Sequence, residues 1–370
     1  MTSRAAGDHR RLAAYLMLVA VLSAVAFISS RLRLPDTFFY TSAAEQGVVP
    51  RCAEIHCFRI LIPWTIGALP GPALLKWKSY GVLCNAAAAI AVFDLCLVFG
   101  LSRRASTIAA ALTVFGFGSF YTLFEPYTSD PLMFWLTPLV MRLALENRAS
   151  VAGAIACVGV FAKEFIVVPI ALVAIADAIG RRWERAFRLA VACAAAFAVW
   201  LALHLFLRFQ FGYTYGPNKS PRLFAGSYLF FWLRHMSPRG AASAMFNEFG
   251  PAWLLIPVGW LSAPRKLRQL IVAALPLACV FSYVQQPDRA LWNFNFFTSP
   301  LAALVLEPLP NVFVAAFLAV FAFANLKVGA QVSFIPPARY AFAVGLVLAV
   351  IAIFGYMRSR RLTPAVVEPS

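Results

Sequence analysis

Charge is what this sequence has least of. Only 13% of its 370 residues are Asp, Glu, Lys or Arg, roughly half the share of a soluble domain. Hydrophobic residues make up 62%, and the mean hydropathy is +0.77. Water-soluble, disordered and collagen-like chains are excluded, because apolar surface on this scale must be solvated by lipid or by itself. The sequence also lacks a Walker loop, a GxGxxG turn, a GxSxG elbow and a four-cysteine zinc pattern. No expected cytoplasmic loop is long enough for a nucleotide-binding domain, so ATP-driven and nucleotide-sugar chemistry are disfavoured. Acids are scarcest, 15 against 32 Lys plus Arg, a formal charge of +17. In so apolar a chain this excess reads as arginine in cytoplasmic loops, not as a nucleic-acid surface. Seven cysteines do not form a disulfide scaffold. Cys84, Cys96, Cys157, Cys193 and Cys279 lie in apolar runs as small hydrophobes. Only Cys52 and Cys57 share a polar loop.

What is present is a succession of apolar runs. The first, residues 12–30, follows Arg4, Arg10 and Arg11 and reads as an uncleaved helix with a cytoplasmic N-terminus. Others cover 80–100, 107–124, 131–145, 151–162, 165–179, 187–207, 251–263, 270–283, 296–306, 311–324 and 340–356. The expectation is an all-α polytopic bundle, one membrane domain over 1–370, with about 12 spans and both termini cytoplasmic. Arg103/Arg104, Arg142/Arg148, Arg181/Arg182/Arg185/Arg188, Arg265/Lys266/Arg268 and Arg358/Arg360/Arg361 then all fall on one side. Runs 151–162 and 165–179 are short for full crossings and form a hairpin with Lys163-Glu164 at its outer tip. Residues 31–78 form a first outer loop with interfacial segments, its apolar part 59–70 broken by Pro63 and Pro70. Residues 211–250 form a second. In a third, 285–297, the aromatics read as an interfacial belt.

Polar residues near a membrane are costly and need reasons. Asp36, Glu45, Glu54, Glu125, Asp130, Glu164, Glu248 and Asp288 all fall on the expected outer face, which suggests a polar cavity opening outward. Asp36 either caps a helix or serves as a general base. Asp130 before Pro131 fits a helix start, whereas Glu125 has no such explanation. Together the two could hold a divalent cation or an acceptor. Lys163-Glu164 is either a self-neutralising pair or a lysine held for a phosphate. Arg59 either snorkels or binds, and Asp288-Arg289 is an exposed pair or part of a site. Cys52, Glu54, His56 and Cys57 allow a disulfide, free thiols or a metal site. His204 reads as a packed core histidine. Tyr213, Tyr215 and Trp232 either stack on a sugar or sit among headgroups.

Five short strings carry a resemblance. They are Asp36-Thr37-Phe38-Phe39-Tyr40, Phe58-Arg59-Ile60-Leu61-Ile62-Pro63-Trp64, Ser129-Asp130-Pro131, Ala162-Lys163-Glu164-Phe165, and Asp288-Arg289 with Pro300 downstream. In this layout the sequence resembles the C-type (GT-C fold) membrane glycosyltransferases, in particular small uncharacterised bacterial members. The resemblance implies a hexosyl- or pentosyltransferase of the inner (cytoplasmic) membrane, active on its periplasmic face. It would move a sugar, with inversion, from a polyprenyl-phosphate donor to an envelope glycan or lipid acceptor. Asp36 would be the general base. Because Thr37-Phe38 stands where many members have a second acid, Glu54 is its deputy. Lys163, Arg289 and Arg59 would hold the phosphate. Glu125, Asp130, Glu164, Asp288 and Tyr40 would complete the substrate site, with a divalent cation at Glu125 and Asp130 as candidate cofactor. The alternatives are a transporter or lipid flippase, disfavoured by the lack of repeated halves, and a non-catalytic partner in envelope assembly.

Overall fold

Without water to satisfy peptide groups, an apolar chain folds into helices, and this one does. The computed structural model describes residues 2–28, 35–49, 51–214, 237–284, 291–328, 333–334 and 336–362. The first half comprises α1 (Thr2–Ile28), α2 (Pro35–Gln46), a 3-10 turn (Ile55–Phe58), α3 (Leu61–Ala68), α4 (Ala73–Phe99), α5 (Arg103–Val114), α6 (Phe117–Phe124) and α7 (Asp130–Leu145). A hairpin follows: α8 (Ala149–Gly159), a 3-10 turn (Glu164–Val167) and α9 (Val168–Ile179). Then come α10 (Trp183–Phe211), α11 (Pro238–Phe249), α12 (Leu255–Trp260), α13 (Arg265–Val284), a 3-10 turn (Trp292–Phe294), α14 (Asn295–Leu306), α15 (Asn311–Ala324) and α16 (Pro336–Leu362). One departure from all-α is a two-residue antiparallel ladder, Lys327–Val328 against Ser333–Phe334.

Local chemistry sets the helix ends. Gly100, at φ 93°, closes α4 in the left-handed region. Ser102 Oγ then accepts the Ala105 N–H at 3.1 Å and starts α5. At the centre, Ala86, Ala88, Ala89 and Ala91 of α4 are buried, and these small side chains let α1, α5 and α7 pack closely against it. α10 lies on α8 and α9, α14 on α5 and α12, and α15 on α16.

Among the described residues, four helices are long and apolar enough to cross a membrane: Ala73–Phe99, Arg103–Phe124, Trp183–Phe211 and Ala338–Arg361. The stretch Arg11–Phe27, with α8 and α15, is apolar but shorter. Most of the runs read from the sequence are thus helices, but few have the length of a full crossing. Phe187, Phe197 and Phe209 on α10 and Phe354 on α16 are exposed, as suits surfaces facing lipid.

The bundle has two chemically distinct ends. α4 and α7 run parallel: Tyr80 OH accepts the Leu132 N–H at 3.1 Å. About 20 Å further along, Arg142 binds Asp94. α1 runs the opposite way, with Arg11 on Asp94 at 2.9 Å and Ala26 carbonyl accepting from Lys78. The Asp94 end also collects Arg104 on the Leu309 carbonyl, Lys266 on the Val98 carbonyl and Arg185 on the Ala144 and Leu145 carbonyls. Asp177 holds Arg182 and Arg185 there at 2.7 and 2.9 Å. Four of the five basic clusters expected on one side have a member at this end.

The segment 31–78, expected as an outer loop with interfacial helices, contains α2 and α3, whose first turn tolerates Pro63, and α4 begins at Ala73, earlier than the apolar run 80–100. Two expectations change. Trp292, Phe294, Phe296 and Phe297 are buried in the core, not set in an interfacial belt. Tyr213 is also buried, its OH accepting the Val49 N–H at 3.1 Å, so it offers no open face to a sugar. Tyr215 and Trp232 lie outside the described residues.

Candidate functional site

At the end away from Asp94, four short pieces of chain converge: α2, the 55–59 turn, the Glu125–Asp130 turn and the hairpin tip. α2 is pressed onto α3 at Gly67, where an added Cβ would lie 2.1 Å from the Ala44 carbonyl oxygen. Only glycine permits that approach. It fixes the helix that carries Asp36, Thr37 and Tyr40.

Thr37 and Tyr40 are buried. Thr37 Oγ1 donates to Glu125 Oε1 at 3.3 Å, and Tyr121 OH donates to Glu125 Oε2 at 3.0 Å. Both oxygens of the acid left unexplained by the sequence are thereby occupied, which satisfies a buried carboxylate. Tyr40 OH lies 3.3 Å from Ser129 Oγ and 3.4 Å from His56 Nδ1. Trp77 packs edge-on to Tyr40 and tilted against Tyr127, with centroids 6.1 and 5.7 Å apart.

The hairpin tip supplies the charges. Lys163 has extended backbone, φ −161° and ψ 130°, so it and Glu164 project in different directions. Neither is the other's ion-pair partner. Lys163 Nζ binds Asp130 Oδ1, while Glu164 receives Arg59 through two bonds, Nη2 to Oε1 at 2.7 Å and Nε to Oε2 at 3.4 Å. The second pair has the planar fork geometry that arginine makes with carboxylates. Burial alone would raise the Glu164 carboxyl, but the Arg59 charge and hydrogen bonds outweigh it and hold the group at about 2. Burial pushes the Lys163 ammonium below its ordinary value, and Asp130 opposes that shift. Lys163 Nζ also stands 5.9 Å from the Trp292 ring centroid.

Asp130 therefore acts as an ion-pair partner. Ser129 precedes it at the cap position of α7, with no side-chain capping bond. Cys52 and Cys57 form a disulfide, which excludes both the free-thiol and the metal readings of that loop. The bridge holds the turn carrying His56, which stacks on Phe39 with centroids 6.4 Å apart. Glu54 lies half-buried at the start of this turn. His204 packs face to face with Phe58 at 4.3 Å, as expected of a core histidine. Among the described residues no three His, Cys, Asp or Glu groups meet as metal ligands. Glu125 is engaged by two hydroxyls and Asp130 by Lys163, so these residues do not fit a resident cation. Asp36 is the second residue of α2, one helical turn before Tyr40. Its side chain lies outside the described residues, as do Asp288 and Arg289 altogether.

A groove of about 300 Å³ runs between α11, α13 and α14. Met245, Phe249, Trp253, Leu275, Phe294 and Leu301 line it, and Thr298 is its one hydroxyl-bearing residue. It reaches the charged tip: Phe294 packs edge-on to Phe165 at 5.3 Å, and Leu291 in the groove precedes Trp292. Ser129 stood in the Ser129-Asp130-Pro131 string with no role of its own, and the sequence offered no way to see Tyr121 or Trp292 in this site, because their partners come from distant segments.

No family model matches the chain, and no curated protein matches it by sequence. Several solved structures resemble its fold, two archaeal ones among them. The Archaeoglobus fulgidus oligosaccharyltransferase in the apo form aligns at TM-score 0.52 and 14% identity, over 94% of this chain and 56% of that one. The archaeal oligosaccharyltransferase AglB from Archaeoglobus fulgidus, in complex with an inhibitory peptide and a dolichol-phosphate, aligns at TM-score 0.54 and 14% identity, over 95% and 55%. This chain spans little more than half the length of those proteins, and what the likeness establishes is a fold shared over that part of them.

Proposed function

We propose that this chain is a membrane glycosyltransferase that moves a sugar from a polyprenyl-phosphate-linked donor to an acceptor hydroxyl, with inversion. One observation carries the reading: an apolar groove of about 300 Å³ ends beside a buried cluster of paired charges. A lipid-linked phosphate needs such a junction, greasy on one side and charged on the other. The fold likeness supports it, and so does the dolichol-phosphate in the AglB complex.

In this reading the acceptor oxygen attacks the anomeric carbon as the bond from that carbon to the phosphate oxygen breaks. The bonding electrons leave on the phosphate, and the acceptor's proton passes to a carboxylate. Asp36 is the base and Glu54 its deputy. Lys163, Arg59 and Arg289 are the cations assigned to the growing negative charge on the phosphate. The ion pairs give Asp130 and Glu164 a specific task. They keep Lys163 charged and Arg59 aimed before the donor arrives, so little reorganisation is needed when charge develops. Glu125, through Thr37 and Tyr121, fixes α2 and hence the base. No step requires a metal. The same reading has the protein in the inner membrane, with the Lys163 end on the periplasmic face and an envelope glycan or lipid as acceptor.

The test is sugar transfer by the purified protein from a panel of polyprenyl-phosphate sugars, wild type against Asp36→Asn and Glu54→Gln. Transfer by the wild type and its loss in one variant supports the reading. Uptake or flipping in sealed vesicles that persists in Asp36→Asn, with no donor consumed, supports a transporter instead.

A further inference from the structure

The opposite end of the bundle holds a crevice of about 290 Å³ between α1, α4 and α7, and nothing in the proposed chemistry uses it. Its floor is polar. Asp94 sits between Arg11, whose Nη2 lies 2.9 Å from Oδ1, and Arg142, which binds Oδ2. Arg142 also reaches Glu146 at 3.3 Å. Arg11 is the open member: its side chain is 51% exposed, and Asp94 is its one ion-pair partner among the described residues. The walls are apolar, with Leu12, Ile90 and Leu139, and Tyr15 and Trp135 also line the crevice.

Depth matters here. Asp94 lies about 8 Å before the end of α4, and Arg142 is in the last turn of α7. Both helices end where a bilayer's headgroups begin, if α4 spans it. A phosphodiester at that level meets the outer edge of the Arg11 fork. The acyl chains of the same molecule then descend along Leu12, Ile90 and Leu139. Leu16 and Met17 of α1, both exposed, continue that apolar surface. Asp94 keeps the two guanidinium groups in place when the crevice is empty.

We propose that this crevice is a binding site for the headgroup of an anionic phospholipid, separate from the site at the Lys163 end. Lipid seated there bridges α1 to the α4–α7 pair, so it stabilises the first helix against the bundle.

The experiment uses the full chain, delipidated in neutral detergent. Its melting temperature and its lipid retention by native mass spectrometry are read with phosphatidylglycerol, with phosphatidylcholine and with soluble glycerol phosphate. The expected result is a larger upward shift and stronger retention with phosphatidylglycerol than with phosphatidylcholine, and no shift with glycerol phosphate. Arg11→Gln loses the phosphatidylglycerol excess, measured against its own lipid-free melting temperature. Arg358→Gln removes the same charge from exposed α16 surface and keeps it. Equal shifts with both lipids, an unchanged excess in Arg11→Gln, equal loss in Arg358→Gln, or a full shift with glycerol phosphate alone would each overturn the proposal.

Discussion

The Arg59–Glu164 pair makes a prediction with a definite size and pH dependence. The Glu164 carboxyl moves from 4.5 to about 2 on folding. At 1.36 kcal/mol per unit that is about 3 kcal/mol, and partial access to water reduces it to about 2 kcal/mol. The side chain of Glu164 is 29% exposed and that of Arg59 only 8%, so screening is incomplete. Because the folded carboxyl is held below its unfolded value, the stabilisation is complete above the unfolded value. It drains as pH falls towards the folded one. A double-mutant cycle of wild type, Glu164→Gln, Arg59→Gln and the double variant isolates the pair from the cost of stranding either charge. Read by reversible unfolding in mixed micelles, the coupling should be about 2 kcal/mol at pH 7 and about 1 kcal/mol at pH 3. The single variant Glu164→Gln should cost more than the coupling, since it leaves Arg59 buried without a counter-charge. A coupling that is negligible at pH 7, or the same at both pH values, would refute the assigned pair.

Other consequences are simpler to state. Gly67→Ala puts a methyl against the Ala44 carbonyl. It should lower stability by about 1–3 kcal/mol and reduce turnover as α2 shifts, measured by melting and transfer assays. Leu275→Trp fills the apolar groove. It should raise KM for long polyprenyl donors by about tenfold, roughly 1.4 kcal/mol, while short-chain donors change little. Cys52→Ser, or reduction of the wild type, removes the bridge that holds the His56 turn. It should lower the melting temperature and leave a reducing agent without further effect on the variant.

Much of the fold was legible because apolar runs and the arginine distribution survive in the sequence. Four of the five basic clusters have a member at one end, as their spacing suggested. Helix length was less legible, since an apolar run does not disclose whether it ends in lipid or against a neighbour. The two-residue ladder at Lys327–Val328 gave no signal at all. In the site, Lys163, Glu164, Arg59 and Asp130 were each visible as costly residues and Tyr40 through the resemblance, and the structure brings these five together. Their partners were not visible. Adjacent opposite charges left open whether Lys163 and Glu164 pair with each other, and the extended backbone at Lys163 sends them to Asp130 and Arg59 instead. Glu125 made sense only once Thr37 and Tyr121 were seen on its two oxygens. Asp94 drew no notice inside an apolar run, yet it ties three helices.

The central claim is that a sugar leaves a polyprenyl phosphate on this protein. Its most direct test is release of free polyprenyl phosphate by purified wild-type protein in liposomes, with a panel of polyprenyl-phosphate sugars and acceptor glycans. The account predicts acceptor-dependent release that falls by about 100-fold or more in Asp36→Asn or, should the deputy be the base, in Glu54→Gln. No release by the wild type from any donor, or undiminished release by the variant lacking both carboxylates, would contradict it.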